Sequence, residues 1–255
     1  MFESIDSADE YQKGHSEYQE KVLKNPKRVS VVIPTLNEVD TIGRLIEELE
    51  SLGIIEHIVI VDDGSTDGTV DTLIEMNRRY GNIILKERGR RLGFGSAIND
   101  GLNIILKLQP PPDLVVVMDA DLSHNPIYIP KMVELCYNAD LVLGSRYVRG
   151  GRIEGWGLKR RIISGFANWI ARSLLRLDVR DVTTGYRCYS RRAVEVMLPL
   201  KSKGYVVQVE TLLKVRRRRL RIVELPITFI DRIYGKSKLG VREMIDFLIF
   251  IIRNI

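Results

Sequence analysis

Cysteine is scarce in this chain: Cys136 and Cys188 are the whole supply, far apart and outside any metal-ligand spacing. That excludes a disulfide scaffold, and the two read as core thiols of a chain kept in a reducing compartment. Histidine is limited to His15, His57 and His124, which form neither a zinc pattern nor a triad, and no GxSxG occurs. There is no GxxxxGK[ST], and "GFGSAINDG" (residues 93–101) lacks GxGxxG spacing, so Walker and Rossmann cofactor loops are poorly supported. Those glycines read as allowing tight packing at a helix start. The first residues lack the apolar stretch of a signal peptide and are too acidic for a transit peptide, which predicts a cytoplasmic chain. Nor is there a long apolar run: "MIDFLIFII" (residues 244–252) is broken by Asp246 and falls short of the ~20 residues a spanning helix needs.

What is present is a large potential core and a polarised charge. With 255 residues and 45% hydrophobic composition, the chain can bury a full core in one α/β domain. Residues 1–140 hold 14 Lys+Arg against 24 Asp+Glu, net −10; residues 141–255 hold 25 against 9, net +16. A basic second half fits either a solvated face or a partner carrying phosphates, such as an anionic membrane surface. Nucleic acid is not the expected partner, because the basic half carries no recognition module or interleaved aromatics.

From Val29 the pattern is strand, turn, helix, repeated. "VSVVIP" stops at Pro34, and Ile42, Leu45, Ile46, Leu49 and Leu52 then recur at helical spacing before Gly53. "HIVIVDD", "IILKE", "LVVV" and "LVLG" are further strands, with amphipathic helices between the first four. Continuous apolar strands alternating with helices predict a mostly parallel sheet flanked by helices on both faces. The absence of repeats and linkers predicts a single domain over 28–240, preceded by an arm over 1–27 and followed by an apolar, amphipathic helix over 241–255 that could pack on the domain, lie in a membrane interface or begin a membrane region.

Ligands of such sheets bind beyond the carboxyl ends of the strands. Three polar clusters fall there: "PTLNE", "DDGSTD" and "MDADLSH". Asp119 and Asp121, two residues apart, repel unless a cation lies near them, and two hard carboxylates suit Mg2+ or Mn2+ completed by water and phosphate oxygens. Taken alone, Asp121 could instead cap the helix entering at Pro126, and Asp67 could cap the helix after it.

Together and in this order, the three clusters resemble those of the inverting GT-A glycosyltransferases of family 2. In the second half, "GSRYVRGG", "GWGLKRRIISGFAN", "DVTTGYRCYSR", "GYVVQVE" and "PITFIDRIYGKSKLG" resemble the catalytic domain of the dolichol-phosphate mannosyltransferases. The resemblance covers about residues 28–252. It implies a Rossmann-like GT-A fold and transfer of mannose from GDP-mannose to dolichyl or another polyprenyl phosphate, at the cytoplasmic face of a membrane. A peripheral attachment is expected, with a separate membrane-anchoring subunit as a further candidate partner.

The same resemblance implies the site. Pro34, Thr35, Glu38, Val61 and Asp63 would surround the guanosine; Asp119, Ala120 and Asp121 would meet metal and diphosphate; Ser123 stands where relatives place a third ligand. Arg232 and Lys238 would clamp the diphosphate, and Leu36 departs from the tyrosine common in "PTYNE". Arg146 is the leading candidate to orient the acceptor phosphate, with Arg149, Arg152, Lys159, Arg160 and Arg161 beside it. Asp181, Thr184, Tyr186 and Glu210 would border the sugar. A phosphate monoester with a second pKa of roughly 6 is already the nucleophile, so His124 is not needed as a base. Two alternatives remain: another donor such as UDP-glucose with the same acceptor, and a non-catalytic nucleotide-sugar or membrane-binding module.

Overall fold

The computed structural model of the chain describes residues 27–232 and 241–255. Residues 1–26 of the expected arm, and Lys238, lie outside the described residues.

The first strand, β1 (Val29–Thr35), is buried along almost its whole length. It pairs in parallel with β2 (Ile55–Asp62) on one side and β4 (Leu114–Val117) on the other. β3 (Ile83–Glu87) extends the sheet beyond β2. Three helices connect these strands: α1 (Val39–Glu50), α2 (Thr69–Tyr80) and α3 (Phe94–Ile105). α1 buries Ile42, Leu45, Ile46 and Leu49 as a single stripe, the face that its spacing predicts. α2 ends at Gly81, whose positive φ of 76° lets its N–H reach the Asn77 carbonyl at 2.8 Å.

Beyond a short turn (Pro126–Tyr128) and α4 (Ile129–Leu135), β5 (Leu141–Ser145) starts the second half. The regular alternation then stops. β6 (Arg152–Glu154), α5 (Leu158–Leu175), β7 (Arg187–Ser190), α6 (Arg191–Met197), α7 (Val207–Arg217), β8 (Ile222–Pro226), β9 (Thr228–Ile230) and α8 (Val241–Ile252) complete the described chain. β7 runs antiparallel between β4 and β5, so the sheet order is β3-β2-β1-β4-β7-β5-β8, and β6 pairs with β9 in a separate ribbon. The expected single α/β domain with a mostly parallel sheet is what forms.

Each face of the sheet carries its own apolar core. Val32, Val59 and Val115 face α3 and α7, whereas Val31, Ile33 and Ile58 face α1, α2 and α4. The sheet is thus covered on both sides, and polar chemistry is pushed to its strand ends. Cys136, at the end of α4, and Cys188, on β7, are buried free thiols, the Cys136 Sγ lying 3.4 Å from the Cys188 carbonyl oxygen. The Cys136 hydrogen bond, with burial, pushes the Cys188 thiol well above its ordinary pKa.

Candidate active site

The turns after β1 and β2 hold each other. The Asn37 N–H donates to the Ser65 hydroxyl at 2.8 Å, while the Asn37 side-chain oxygen accepts from the Thr66 N–H at 2.9 Å. Asn37 sits at φ 55°, a left-handed position that asparagine tolerates better than most residues. The Glu38 N–H donates to the Thr69 hydroxyl at 2.9 Å, and the Val39 N–H to Asp67 at 3.1 Å. Asp67 also accepts from the Thr69 N–H at 3.0 Å, so it caps α2 as its position allows. Asp62 accepts from the Gly64 and Ser65 N–H groups and from the Thr35 hydroxyl. This carboxylate, not singled out in the sequence, staples the two turns.

Its neighbour Asp63 points the other way. It accepts from the Leu92 and Gly93 N–H groups at 2.8 and 2.9 Å and pairs with the buried Arg88 at 3.0 Å. The start of α3 is thereby tied to the end of β2. Gly95 lets a second segment close in: its N–H donates to the Lys203 carbonyl at 2.7 Å, and a Cβ there would lie 2.2 Å from the Ser202 carbonyl oxygen. Glu210 anchors the same segment, accepting from the Lys201 and Ser202 N–H groups and pairing with Lys214 at 2.9 Å. The tight packing expected of the 93–101 glycines is therefore present.

β4 ends at Val117, and the acid pair follows in the open turn. The Asp119 N–H donates to His124 Nδ1 at 3.0 Å. That nitrogen is therefore the acceptor, and the ring is neutral with its proton on Nε2. Burial, only partly offset by Asp121, pushes His124 down to about 4. The 3.9 Å approach of Nδ1 to the Asp119 carboxylate is accordingly not an ion pair. His124 stacks on Tyr186 at 5.0 Å and braces the turn, the non-catalytic place expected of it. Leu122 takes φ 61°, a strained setting for a γ-branched residue, and turns the chain sharply after Asp121. Asn125, not Asp121, caps the helical turn at Pro126, accepting from the Ile127 N–H at 2.9 Å.

These pieces surround one open cleft. Pro34, Thr35, Leu36 and Glu38 line it from β1, Asp63 from β2, and Arg91, Gly93, Phe94 and Ala97 from the third connection. Asp119, Ala120 and Asp121 form one wall, joined by Gly204, Tyr205, Arg232 and Glu243. Arg232 reaches Asp121 at 3.3 Å and supplies the positive neighbour that the acid spacing calls for. Its buried Nε has no hydrogen-bond partner among the described residues. The donor set at the acid pair is two hard carboxylates, with no third His, Cys, Asp or Glu gathered around it among the described residues. This suits a divalent Mg2+-like ion that keeps most positions for water and phosphate, and does not suit zinc.

Not every expected residue reaches the cleft. Val61 is fully buried, its side chain packed in the core behind Asp63. The Ser123 hydroxyl donates to Asp121 at 2.5 Å, so it supports that carboxylate instead of facing outward as a third ligand. Arg146 forms a two-point pair with Asp181 at 2.7 and 2.8 Å and also donates to Thr183 at 2.9 Å. It is buried, close enough to Asp119 for the two charges to interact. Burial disfavours its charge, but Asp181 outweighs that and raises its pKa. Thr184 and Tyr186 are buried in the wall behind the acid turn. Arg91, Phe94 and Tyr205 line the cleft without having been singled out. Arg91 had a signal, since it follows the third strand and so falls under the same strand-end rule.

An α/β sheet with nucleotide-type turns at its first two strands and an acid pair beyond the fourth defines a GT-A glycosyltransferase domain. Residues 30–198 match the Glycosyl transferase family 2 model, and the chain belongs to that family. It is 36% identical over 216 residues to an undecaprenyl-phosphate mannosyltransferase of Micrococcus luteus, covering 84% of this chain and 88% of that one. A polyprenol monophosphomannose synthase of Mycolicibacterium smegmatis is 33% identical, with coverage of 86% and 83%. The dolichol-phosphate mannosyltransferase of Pyrococcus furiosus is 34% identical across 89% of this chain and 63% of its own. Among solved structures, glucosyl-3-phosphoglycerate synthase of Mycobacterium tuberculosis with Mg2+ and UDP superposes with a TM-score of 0.68 at 21% identity, covering 92% and 82%. That likeness concerns the fold.

Proposed function

We propose that this chain transfers mannose, with inversion, from GDP-mannose to a polyprenyl phosphate such as dolichyl phosphate, at the cytoplasmic face of a membrane. The observation that carries this reading is the acid pair with Arg232, set in one cleft with the β1 and β2 turns. Relatives of matching length that act on polyprenyl phosphates support the choice of acceptor. Pro34, Thr35, Glu38 and Asp63 hold the guanosine, with Val61 behind them. Asp119 and Asp121, with the Ala120 backbone between, would hold Mg2+ or Mn2+, a cation whose charge would offset that of a diphosphate leaving group. Arg232 lies beside Asp121 and takes the diphosphate oxygens, with Lys238 as its expected companion.

The nucleophile is the acceptor phosphate, already ionised near pH 7. A buried, neutral His124 is consistent with a reaction that needs no base. Arg160 stacks on Trp156 at 4.1 Å and pairs with Asp231, the residue before Arg232. Arg146 orients the acceptor phosphate, with Arg160 and Arg161 beside it, while the exposed Arg149, Arg152 and Lys159 attract the anion from solvent.

A membrane-borne acceptor also explains an otherwise costly surface. α5 exposes Leu158, Ile162, Phe166 and Trp169, and α8, which packs on α5, exposes Met244, Ile245, Leu248 and Ile252. Among the described residues no helix is long and apolar enough to cross a membrane. Helices of this kind, with arginine and lysine nearby, lie in the interface plane.

The test is incubation with a polyprenyl phosphate, Mg2+ or Mn2+, and each of GDP-mannose, UDP-glucose and other sugar nucleotides. GDP-mannose alone is expected to label the lipid, and Asp121→Asn to lower that rate at least about 100-fold with the fold retained. Labelling only from another sugar nucleotide, or full activity in Asp121→Asn, contradicts the reading.

A further inference from the structure

Tyr205 has no assigned role, yet its ring is held more firmly than a surface tyrosine requires. It stacks on Phe94 with centroids 4.7 Å apart and planes at 24°. The segment that carries it is fixed at two points, by Glu210 through the Lys201 and Ser202 N–H groups and by Gly95 through the Lys203 carbonyl. The ring lines the cleft together with Asp119, Asp121 and Arg232. Half-buried tyrosines ordinarily find a partner for the hydroxyl. This one has no hydrogen-bond partner among the described residues.

We propose that Tyr205 is a specificity-determining residue of the cleft, its phenol O–H donating a hydrogen bond to a hydroxyl of the sugar being transferred. This rests on the reading of the cleft as a nucleotide-sugar site. The anionic part of such a donor already has fitting partners, the guanidinium groups of Arg91 and Arg232. A neutral phenol matches a neutral sugar hydroxyl, which both donates and accepts. Burial first, then Asp119 and Asp121, push the phenol above its ordinary pKa against the pull of Arg232 and Arg91, so it remains a donor at working pH. Because the ring is already immobilised by Phe94, little side-chain entropy is lost when the contact forms.

Tyr205→Phe removes the hydroxyl and leaves the stack. Calorimetric titration of the full chain with GDP and with GDP-mannose, each with Mg2+, separates the sugar from the rest of the ligand. The variant is expected to bind GDP as tightly as the parent and GDP-mannose about 3- to 10-fold more weakly, the loss of one uncharged hydrogen bond. Equal weakening of both ligands, or no change in either, overturns the proposal. If the parent binds UDP and UDP-glucose in place of the guanosine pair, the choice of donor fails and the same difference, measured with that pair, still decides Tyr205. A parent chain that binds no sugar nucleotide overturns both.

Discussion

Arg146 and Asp181 show how a partner distant in sequence fixes a single residue. The guanidinium at the end of β5 is held in place by a carboxylate 35 positions later. Burial opposes the Asp181 charge, and Arg146 overcomes it, holding the carboxyl below its ordinary pKa of 3.8. A depressed carboxylate stabilises the fold above the unfolded value and loses that contribution as pH falls through the folded one. Asp181→Asn should therefore cost about 3–5 kcal/mol at pH 7, where it strands a buried guanidinium, and less at pH 3, below the unfolded value, where protonation of Asp181 in the unfolded chain already erodes the contribution. Denaturant unfolding at the two pH values measures this; an equal cost at both contradicts the account. Asp119, Asp121 and the β1 and β2 turns were legible because the strand-end rule acts locally. The Arg146 pair and the inward turn of Ser123 were not, since both depend on where a distant or adjacent side chain spends its hydrogen bonds.

At the scale of elements, the first half was legible because its strands are continuously apolar and its helices carry one stripe. β7 was not: four residues, RCYS, carry no mark of the antiparallel pairing that seats them between β4 and β5. The pairing has a consequence for the cleft, because β7 follows the turn that carries Thr184 and Gly185 behind the acid pair. The segment at 201–206 depends on the missing Cβ of Gly95. Gly95→Ala should force it outward, with a stability loss of about 1–3 kcal/mol, as for overpacking elsewhere, and weaker nucleotide binding. Thermal unfolding and a GDP titration report the two effects. Undiminished binding would mean that the segment does not shape the cleft.

For the whole molecule, the charge polarity follows the division of labour. The acidic first half supplies most of the cleft lining, and the net +16 of residues 141–255 includes the surroundings of α5. α5 exposes Phe166 at 60% and Trp169 at 59%, so the apolar face of this helix lacks a cover within the described residues. Converting both to glutamate should abolish co-flotation with anionic vesicles while leaving the binding of free GDP unchanged. Retained flotation would move the membrane contact elsewhere.

The most direct measurement of the central claim combines both ends of the molecule: GDP-mannose in solution, polyprenyl phosphate in vesicles, and analysis of the lipid product. The account predicts one mannose per lipid phosphate, inverted to the β configuration, with one GDP released per transfer. Mannose found on no lipid, or found there in the α configuration, would contradict it.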